Sequence, residues 1–165
     1  MSKKNNASAD KVGARGFFRL QITEDNKVVN DSGWRQNTVV NDGFNQYLCL
    51  TLAGMAGSKT VSHAALGTGT APGATATTLD GEITDAASMR MAVTPTTIAS
   101  KTVQFAFTLA SSVITAAKTI QNVGLFNTST TSAGTIFAGN TYATSALATN
   151  QVVQASYQIR FAYTA

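Results

Sequence analysis

The sequence predicts an all-β protein: an antiparallel β-sandwich, jelly-roll-like, with one short helix and an extended N-terminal arm. Three observations predict this class. About seven short segments are rich in β-branched and aromatic residues or alternate apolar with polar residues, as strands do. Turns rich in Gly, Ser and Thr separate these segments. Only one segment has helical spacing, whereas a doubly wound fold needs a helix between successive strands.

The N-terminal 16 residues are polar, basic and without periodicity, which is typical of an extended arm. The remaining residues, 17–165, have the length of one domain and are predicted to form a single β-sandwich domain. A segment of this composition is ordered only when something holds it, most simply a neighbouring subunit. The predicted partner contacts of the arm are its basic residues: Lys3, Lys4, Lys11 and Arg15.

The sandwich domain is predicted to open with two strands. Residues 16–23, GFFRLQIT, are rich in aromatic and β-branched residues. Residues 24–27, EDNK, form a turn, and residues 28–34 continue as a second short strand. The first two strands are therefore expected to pair as neighbours in the chain.

One helix of about three turns is predicted next, because its apolar residues recur with helical spacing. Asn41 or Asp42 provides the N-cap, and Gly54 and Gly57 end the helix. Cys49, the only cysteine, lies in this apolar run and is predicted to be a small buried residue. The apolar residues with helical spacing are Phe44, Tyr47, Leu48, Leu50, Leu52 and Met55.

A strand at residues 60–67 leads into the glycine-rich stretch GTGTAPG, residues 67–73. A phosphate-binding loop needs a following lysine, which is missing, and Pro72 lacks an amide donor. The third glycine also comes one residue late for a dinucleotide-binding fingerprint. We therefore predict a surface connection between strands. Its Thr-rich tip is a predicted contact with a neighbouring subunit, through Thr68, Thr70 and Pro72.

The second half of the chain is predicted to be almost entirely β. Residues 77–93 combine a turn with a short apolar segment, and residues 97–110 alternate as a half-buried strand. Gly124 is a predicted kink within the following strand. The other predicted strands are residues 118–129, 134–143 and 150–164.

Charge is sparse and unevenly distributed. Charged residues make up 12% of the chain and apolar residues 44%, so the composition is not that of a disordered chain. A surface with so few charges does not need to stay exposed to solvent. Such a surface is often covered by other subunits, although an ordinary low-charge β domain fits as well. Residues 17–85 hold seven acids, whereas residues 86–165 hold none. The acidic middle and basic ends either pair between copies or are simply solvated.

The residue inventory disfavours an enzyme, and no catalytic, cofactor-binding or metal-binding residues are predicted. A nucleophile needs a base, and His63, the only histidine, is predicted to be packed or surface-facing. The acids at 24–25 and at 80, 82 and 85 lack the spacing of a calcium loop and are predicted to be solvated.

Binding to nucleic acid or to a membrane is also not expected. No basic helix or aromatic platform interleaved with cations supports a specific nucleic-acid site. No stretch reaches the ~20 apolar residues of a membrane helix, and residues 1–16 lack the apolar run of a signal peptide. We therefore expect synthesis in the cytoplasm without export by a cleaved signal.

The order of several segments carries a family resemblance. The chain runs NTVVNDGFNQYLCLTLAG, then HAALGTGTAPG followed by LDGEI, then the alternating VQFAFTL, the strand TIQNVGLFN, GTIFAG and finally YQIRF. In this order, over residues 37–163, the chain resembles a family of small tailed-bacteriophage virion proteins. One departure is Asn122, which stands near the place where the family often has a glutamate before the glycine of GLFN.

The resemblance implies a non-enzymatic structural part of a virus particle. It favours a capsid decoration, or cement, protein that binds the major capsid protein on the outer capsid surface and forms a homotrimer. The expected location is then the virion, after synthesis in the bacterial host cytoplasm. A tail, neck or fibre-attachment protein is the alternative. A binding module that recognises sugars or receptors is a second class, with Trp34 and Tyr142 as its candidate aromatic contacts.

Overall fold

A computed structural model describes residues 11–84 and 90–164. Ten strands join in a single antiparallel sheet that is nearly closed, so the predicted all-β fold is confirmed. The strands are β1 (Lys11–Glu24), β2 (Lys27–Asp31), β3 (Arg35–Val39), β4 (His63–Gly67), β5 (Met91–Ala92), β6 (Thr94–Ala99), β7 (Thr102–Leu109), β8 (Lys118–Phe126), β9 (Ile136–Leu147) and β10 (Val152–Thr164).

The sheet folds into two halves that face each other as a sandwich. Its strand order is β5-β4-β8-β9-β3-β1-β10-β7-β6, with β2 paired to β1. Strand β3 joins the halves, because residues 35–37 pair with β1 and residues 38–39 pair with β9. At the opposite side only Val93 separates β5 from β6. We call β1, β10, β7 and β6 the first half-sheet, and β9, β8, β4 and β5 the second half-sheet.

The main core lies between the two half-sheets. Alternate residues of the first half-sheet point inward, so that Phe105, Phe107 and Leu109 of β7 are buried as their alternation predicts. Burying one such side chain stabilises the fold by about 1.5–3 kcal/mol. The core residues of the other long strands include Phe18, Leu20 and Ile22 of β1, Ile120, Val123 and Leu125 of β8, Phe137 and Tyr142 of β9, and Val153, Tyr157 and Ile159 of β10.

Every segment predicted as a strand contains one, but two details differ. Residues 97–110 hold a hairpin rather than one strand, because Lys101 takes a φ of 62° and turns the chain between β6 and β7. Strand β3 was not predicted, since its residues RQNTV lack an apolar alternation. It forms because backbone groups on both of its sides find partners in β1 and β9.

Residues 11–16 are extended, as predicted, but they belong to the sheet rather than to an arm. Strand β1 pairs with β10 from Lys11 opposite Thr164 to Thr23 opposite Val152. The predicted domain boundary after residue 16 is therefore wrong. Ladder hydrogen bonds depend on the backbone, so a polar sequence without periodicity joins a strand when a long partner lies beside it. Lys3 and Lys4 lie outside the described residues.

The predicted helix forms, with an unexpected geometry. A π-helix at Gly43–Cys49 continues into a single α-helical turn at Leu50–Leu52, and we call the two together the helical segment. Asp42 makes no side-chain cap, but Gly54 and Gly57 end the segment with positive φ values, as predicted. A short 3-10 helix follows at Ser111–Val113. Among the described residues, no helix has the length and apolarity needed to cross a membrane.

Candidate functional site

The glycine-rich connection after β4 folds back over the second half-sheet. We call residues 68–84 the covering loop. Leu79 and Ala76 of this loop pack onto the outer face of the half-sheet, where they complete a second, smaller apolar core. The other buried residues of this second core are Val40, which follows β3, and Ala65, Phe126 and Ile136 of the second half-sheet. The part of the second half-sheet that lies under the covering loop is therefore buried on both faces.

Asn122 of β8 fixes the tip of the covering loop from below. Its side chain is fully buried, and its Nδ2 donates to the backbone carbonyls of Thr70 and Asp80, each at 2.8 Å. A glutamate carboxylate could not donate these two bonds, so the amide of Asn122 has a structural role at this position. Asn122 thereby fixes the tip of the covering loop to β8.

Asp80 closes the same tip from within the loop. Its carboxylate accepts hydrogen bonds from the backbone N–H and the hydroxyl of Thr70, at 2.8 Å and 2.9 Å. These donors hold the pKa of Asp80 below its usual value, because they stabilise the charged form. Asp80 is exposed, as predicted of a solvated acid, and its carboxylate additionally fixes the loop tip.

A buried ion pair anchors the far end of the covering loop. The Arg90 guanidinium donates to both carboxylate oxygens of Glu82, at 2.7 Å and 2.9 Å, and both side chains are almost completely buried. The same guanidinium lies 3.7 Å from the centre of the Phe126 ring. It also donates to the carbonyls of Thr128 and Ala133 between β8 and β9. Glu82, expected to be solvated, is thus part of an internal network.

The contacts predicted in the covering loop divide into two kinds. Thr68 and Thr70 are exposed, and their contact with a partner stays a prediction. Pro72 is buried, and its ring packs against Gly139 of β9. The prediction of Pro72 as a partner contact is therefore wrong, because its buried ring packs the loop onto the sheet instead.

Two of the basic residues predicted in the arm lie in β1, and one of them faces a further basic residue across the strand pair. Lys11 begins β1, and Arg15 is exposed directly opposite Arg160 of β10. The Arg160 guanidinium lies 4.6 Å from the centre of the Phe17 ring and donates to Gln158. Like charges opposite each other across a strand pair are destabilising in isolation. The two arginines therefore form a spot that favours an acidic partner.

A large apolar surface lies at one end of the sandwich, around the helical segment. Leu52 is 91% exposed, and Phe44 and Phe161 are also well exposed. Together with Ala14 and Leu48 they line a hollow of about 190 Å³. We call these five residues the apolar end surface. A cluster of large exposed apolar side chains is a candidate contact surface.

The π-helical geometry explains why the helical segment is so exposed. Its apolar residues are spaced for 3.6 residues per turn, whereas a π-helix is wider, with i→i+5 hydrogen bonds. They therefore do not share one face: Tyr47 is buried, whereas Phe44 and Cys49 are exposed. The prediction of a buried Cys49 is wrong for this reason. A second hollow, of about 290 Å³, adjoins the apolar end surface and shares Leu48 and Phe161 with it.

His63 is half-buried, and its Nδ1 lies 2.8 Å from the hydroxyl of Ser62. Burial and the charge of Arg90 lower the pKa of His63. Neither Ser62 nor His63 lines the two hollows described above. Over residues 11–84 and 90–164, no three His, Cys, Asp or Glu side chains come together as a metal site would require.

The two aromatic residues considered for a binding module lie in different environments. Tyr142 is buried in the main core, where burial raises the pKa of its hydroxyl. Trp34 is 44% exposed and lies between β2 and β3. Comparisons of the chain with protein-family models, with curated proteins and with solved structures found no match.

Proposed function

We propose that this protein is a non-enzymatic structural component of a tailed-phage virion, a capsid decoration protein that binds the outer capsid surface and stabilises the shell. The observation that carries the proposal is the apolar end surface. Its side chains are exposed on a rigid β-sandwich, in a chain that has only 12% charged residues. The segment order, which resembles that of small tailed-phage virion proteins, supports a role of this surface in a virion.

The first partner in the proposal is a neighbouring copy, within a homotrimer. Burying one exposed Leu, Phe or Met side chain is worth about 1.5–3 kcal/mol. Leu52, Phe44, Phe161 and the nearby Met55, which is 57% exposed, therefore offer several kcal/mol to association. A specific interface needs about 1,000 Å² or more of buried area, so it must extend beyond these four side chains.

The second partner is the major capsid protein. The spot formed by Arg15 and Arg160 favours an acidic surface, and Thr68 and Thr70 offer hydrogen-bonding groups at a fixed loop tip. A fixed loop loses little conformational freedom on binding, which favours affinity. A trimer would repeat these contacts three times, and multivalency would strengthen the attachment.

Leu52→Glu tests the self-association. A buried carboxylate at the centre of the interface is costly, so we expect the wild-type trimer to become a monomer in sedimentation and light-scattering measurements. Val28→Glu is the matched control, because Val28 is exposed on β2, outside the apolar end surface. The control should remain a trimer. A monomeric wild-type protein would contradict the self-association.

Binding to phage particles tests the location. Purified protein added to particles that lack it should occupy the head, and imaging should place it on the outer capsid. Attachment to tails or necks instead would favour the alternative of a tail, neck or fibre-attachment protein. A chain lacking residues 1–10 tests the predicted partner contacts of Lys3 and Lys4, and should bind more weakly if these contacts form.

A further inference from the structure

A polar hollow of about 270 Å³ lies on the outer face of the first half-sheet. It is distinct from the apolar end surface, and its walls come from β1, β7 and β10 together with Trp34. We propose that this hollow binds a neutral saccharide, one sugar ring of which stacks on Trp34. This inference does not rest on the proposed virion role.

The floor of the hollow consists of two rows of side chains across three strands. Gln21, Gln154 and Thr108 are paired in one row. Arg19, Ser156 and Ala106 are paired in the next. Neighbouring strands are ~4.8 Å apart, so each row spans ~10 Å. The small side chain of Ala106 leaves the space that the hollow occupies.

Three side chains of these rows have free hydrogen-bonding capacity. Within the described part of the chain, the side chains of Thr108, Gln154 and Ser156 form no hydrogen bond, and Thr108 and Gln154 are exposed. Hydroxyl and carboxamide groups can both donate and accept. Sugar hydroxyls also do both, so a ring of hydroxyls matches this floor better than a ligand with acceptors alone.

Trp34 supplies an apolar wall beside this polar floor. Its exposed ring can stack against the C–H face of a sugar, a face that water solvates poorly. The turn that carries it is fixed: Gly33, with φ of 63°, donates to the Asp31 carboxylate at 2.9 Å. Ser32 also exchanges two hydrogen bonds with Leu20 of β1. The position of Trp34 relative to the floor is therefore set before a ligand arrives.

The charge of the hollow selects a neutral ligand. Arg19 is the charged residue among those that line it, and its guanidinium already donates to Asp31 at 3.0 Å and 2.5 Å. Gln21 donates to the same carboxylate. Since the positive charge is neutralised within the chain, a phosphate or an acidic sugar would find no free cation. The volume lies near the lower limit of ~300 Å³ for ligand pockets, which fits one sugar ring with a chain continuing outside.

Tryptophan fluorescence tests the proposal directly, because Trp34 is the only tryptophan in the chain. The full-length protein is titrated with glucose, galactose, mannose, N-acetylglucosamine and N-acetylgalactosamine, and with oligomers of these sugars. We expect a saturable change in emission with at least one of them and none with inorganic phosphate. The absence of a saturable change with every sugar would overturn the proposal, as would an equal response to phosphate.

Variants that keep Trp34 locate the binding groups. Thr108→Ala and Gln154→Ala should each weaken binding of the responding sugar about fivefold, the loss typical of one hydrogen bond. Thr96→Ala, on the exposed edge strand β6 and outside the hollow, is the matched control and should bind as the wild type does. Equal affinities of the Thr108→Ala, Gln154→Ala and wild-type proteins would place the sugar elsewhere and overturn the assignment. These readouts are separate from the oligomeric state, so either proposal can fail alone.

Discussion

The two half-sheets share one core but differ in their outer faces. The covering loop lies over part of the outer face of the second half-sheet, with a second apolar core and the buried Glu82–Arg90 ion pair. The outer face of the first half-sheet is a polar surface that no loop within residues 11–84 and 90–164 covers in this way, and its ion pair, Arg19–Asp31, is open to solvent. One sheet thus presents a closed and an open face, and the open face is the one available to a ligand.

The burial patterns along the strands show the same difference between the two half-sheets. Strand β7 of the first half-sheet alternates, as expected of a strand with one wet face. Strands β4 and β8 of the second half-sheet end in continuous buried runs, AALG and VGLF. A strand buried on both faces has no reason to alternate. A continuous apolar run in an antiparallel sheet therefore indicates that a further layer, here the covering loop, lies over it.

The largest predicted effect is the difference between the contributions of the two ion pairs to the free energy of unfolding. Arg90→Leu should lower the free energy of unfolding by about 3–5 kcal/mol, because it leaves the Glu82 carboxylate buried without its partner. Arg19→Leu should lower it far less, because the Arg19 side chain is 37% exposed and water screens the pair. Urea denaturation of both variants and the wild type measures the difference.

The Glu82–Arg90 pair also has an internal control. Replacing both residues with apolar ones of similar size, Glu82→Leu with Arg90→Met, should recover part of the loss, because no charge is then left buried. The carbonyls of Thr128 and Ala133 would still lose their donor, so recovery should be incomplete. Similar losses for Arg90→Leu and Arg19→Leu would break the comparison between the closed and open faces.

A second, smaller effect tests how closely the covering loop packs. A Cβ added at Gly139 would lie 2.6 Å from both the Pro72 ring and the carbonyl oxygen of Val123. Gly139→Ala should therefore lower the free energy of unfolding by about 1–3 kcal/mol, as overpacking does. Gly13→Ala is the matched control, because a Cβ there meets nothing within 4 Å. Its stability should be unchanged or slightly raised. Equal thermal midpoints for the two variants would show that the loop is not tightly seated.

Much of the fold could be predicted from local patterns. The alternation of Val103, Phe105, Phe107 and Leu109 identifies β7, and glycines identify the end of the helical segment. Strand β3 and residues 11–16 could not be predicted in this way. Their pairing depends on backbone hydrogen bonds with β1, β9 and β10, which leave no side-chain pattern in a polar sequence.

The candidate sites were less predictable, because their contacts join distant parts of the chain. Thr68 and Thr70 are exposed as expected of contact residues, and Trp34 was identified as a candidate aromatic contact. Pro72 and Glu82 have structural roles that need Gly139 and Arg90, respectively, to be close in space. The exposure of Phe44 and Cys49 accompanies the π-helical geometry of Gly43–Cys49, and helical spacing alone cannot distinguish a π-helix from an α-helix.

The smallest predicted effect concerns how much Asp31, on the open face, contributes to stability at low pH. The pKa of Asp31 lies well below its usual value, first because Arg19 donates to it and then because Gly33 does. A carboxylate with a lowered folded-state pKa stabilises the protein above its unfolded value of about 3.9. That contribution is lost as the pH falls below this value toward the folded pKa. Because the pair is exposed, the contribution should stay under about 1 kcal/mol.

Urea denaturation of the wild type and of Asp31→Asn, at several pH values, measures this contribution. The wild type should be slightly more stable at pH 7, and the difference should shrink steadily below about pH 4. Asp25→Asn is the control, because Asp25 lies in the β1–β2 turn, outside the Arg19–Asp31 pair. A difference as large as that of Arg90→Leu would mean that solvent-exposed pairs hold the open face as firmly as the buried pair holds the closed one. The contrast between the two faces would then lie in shape alone, and not in how strongly each is fixed.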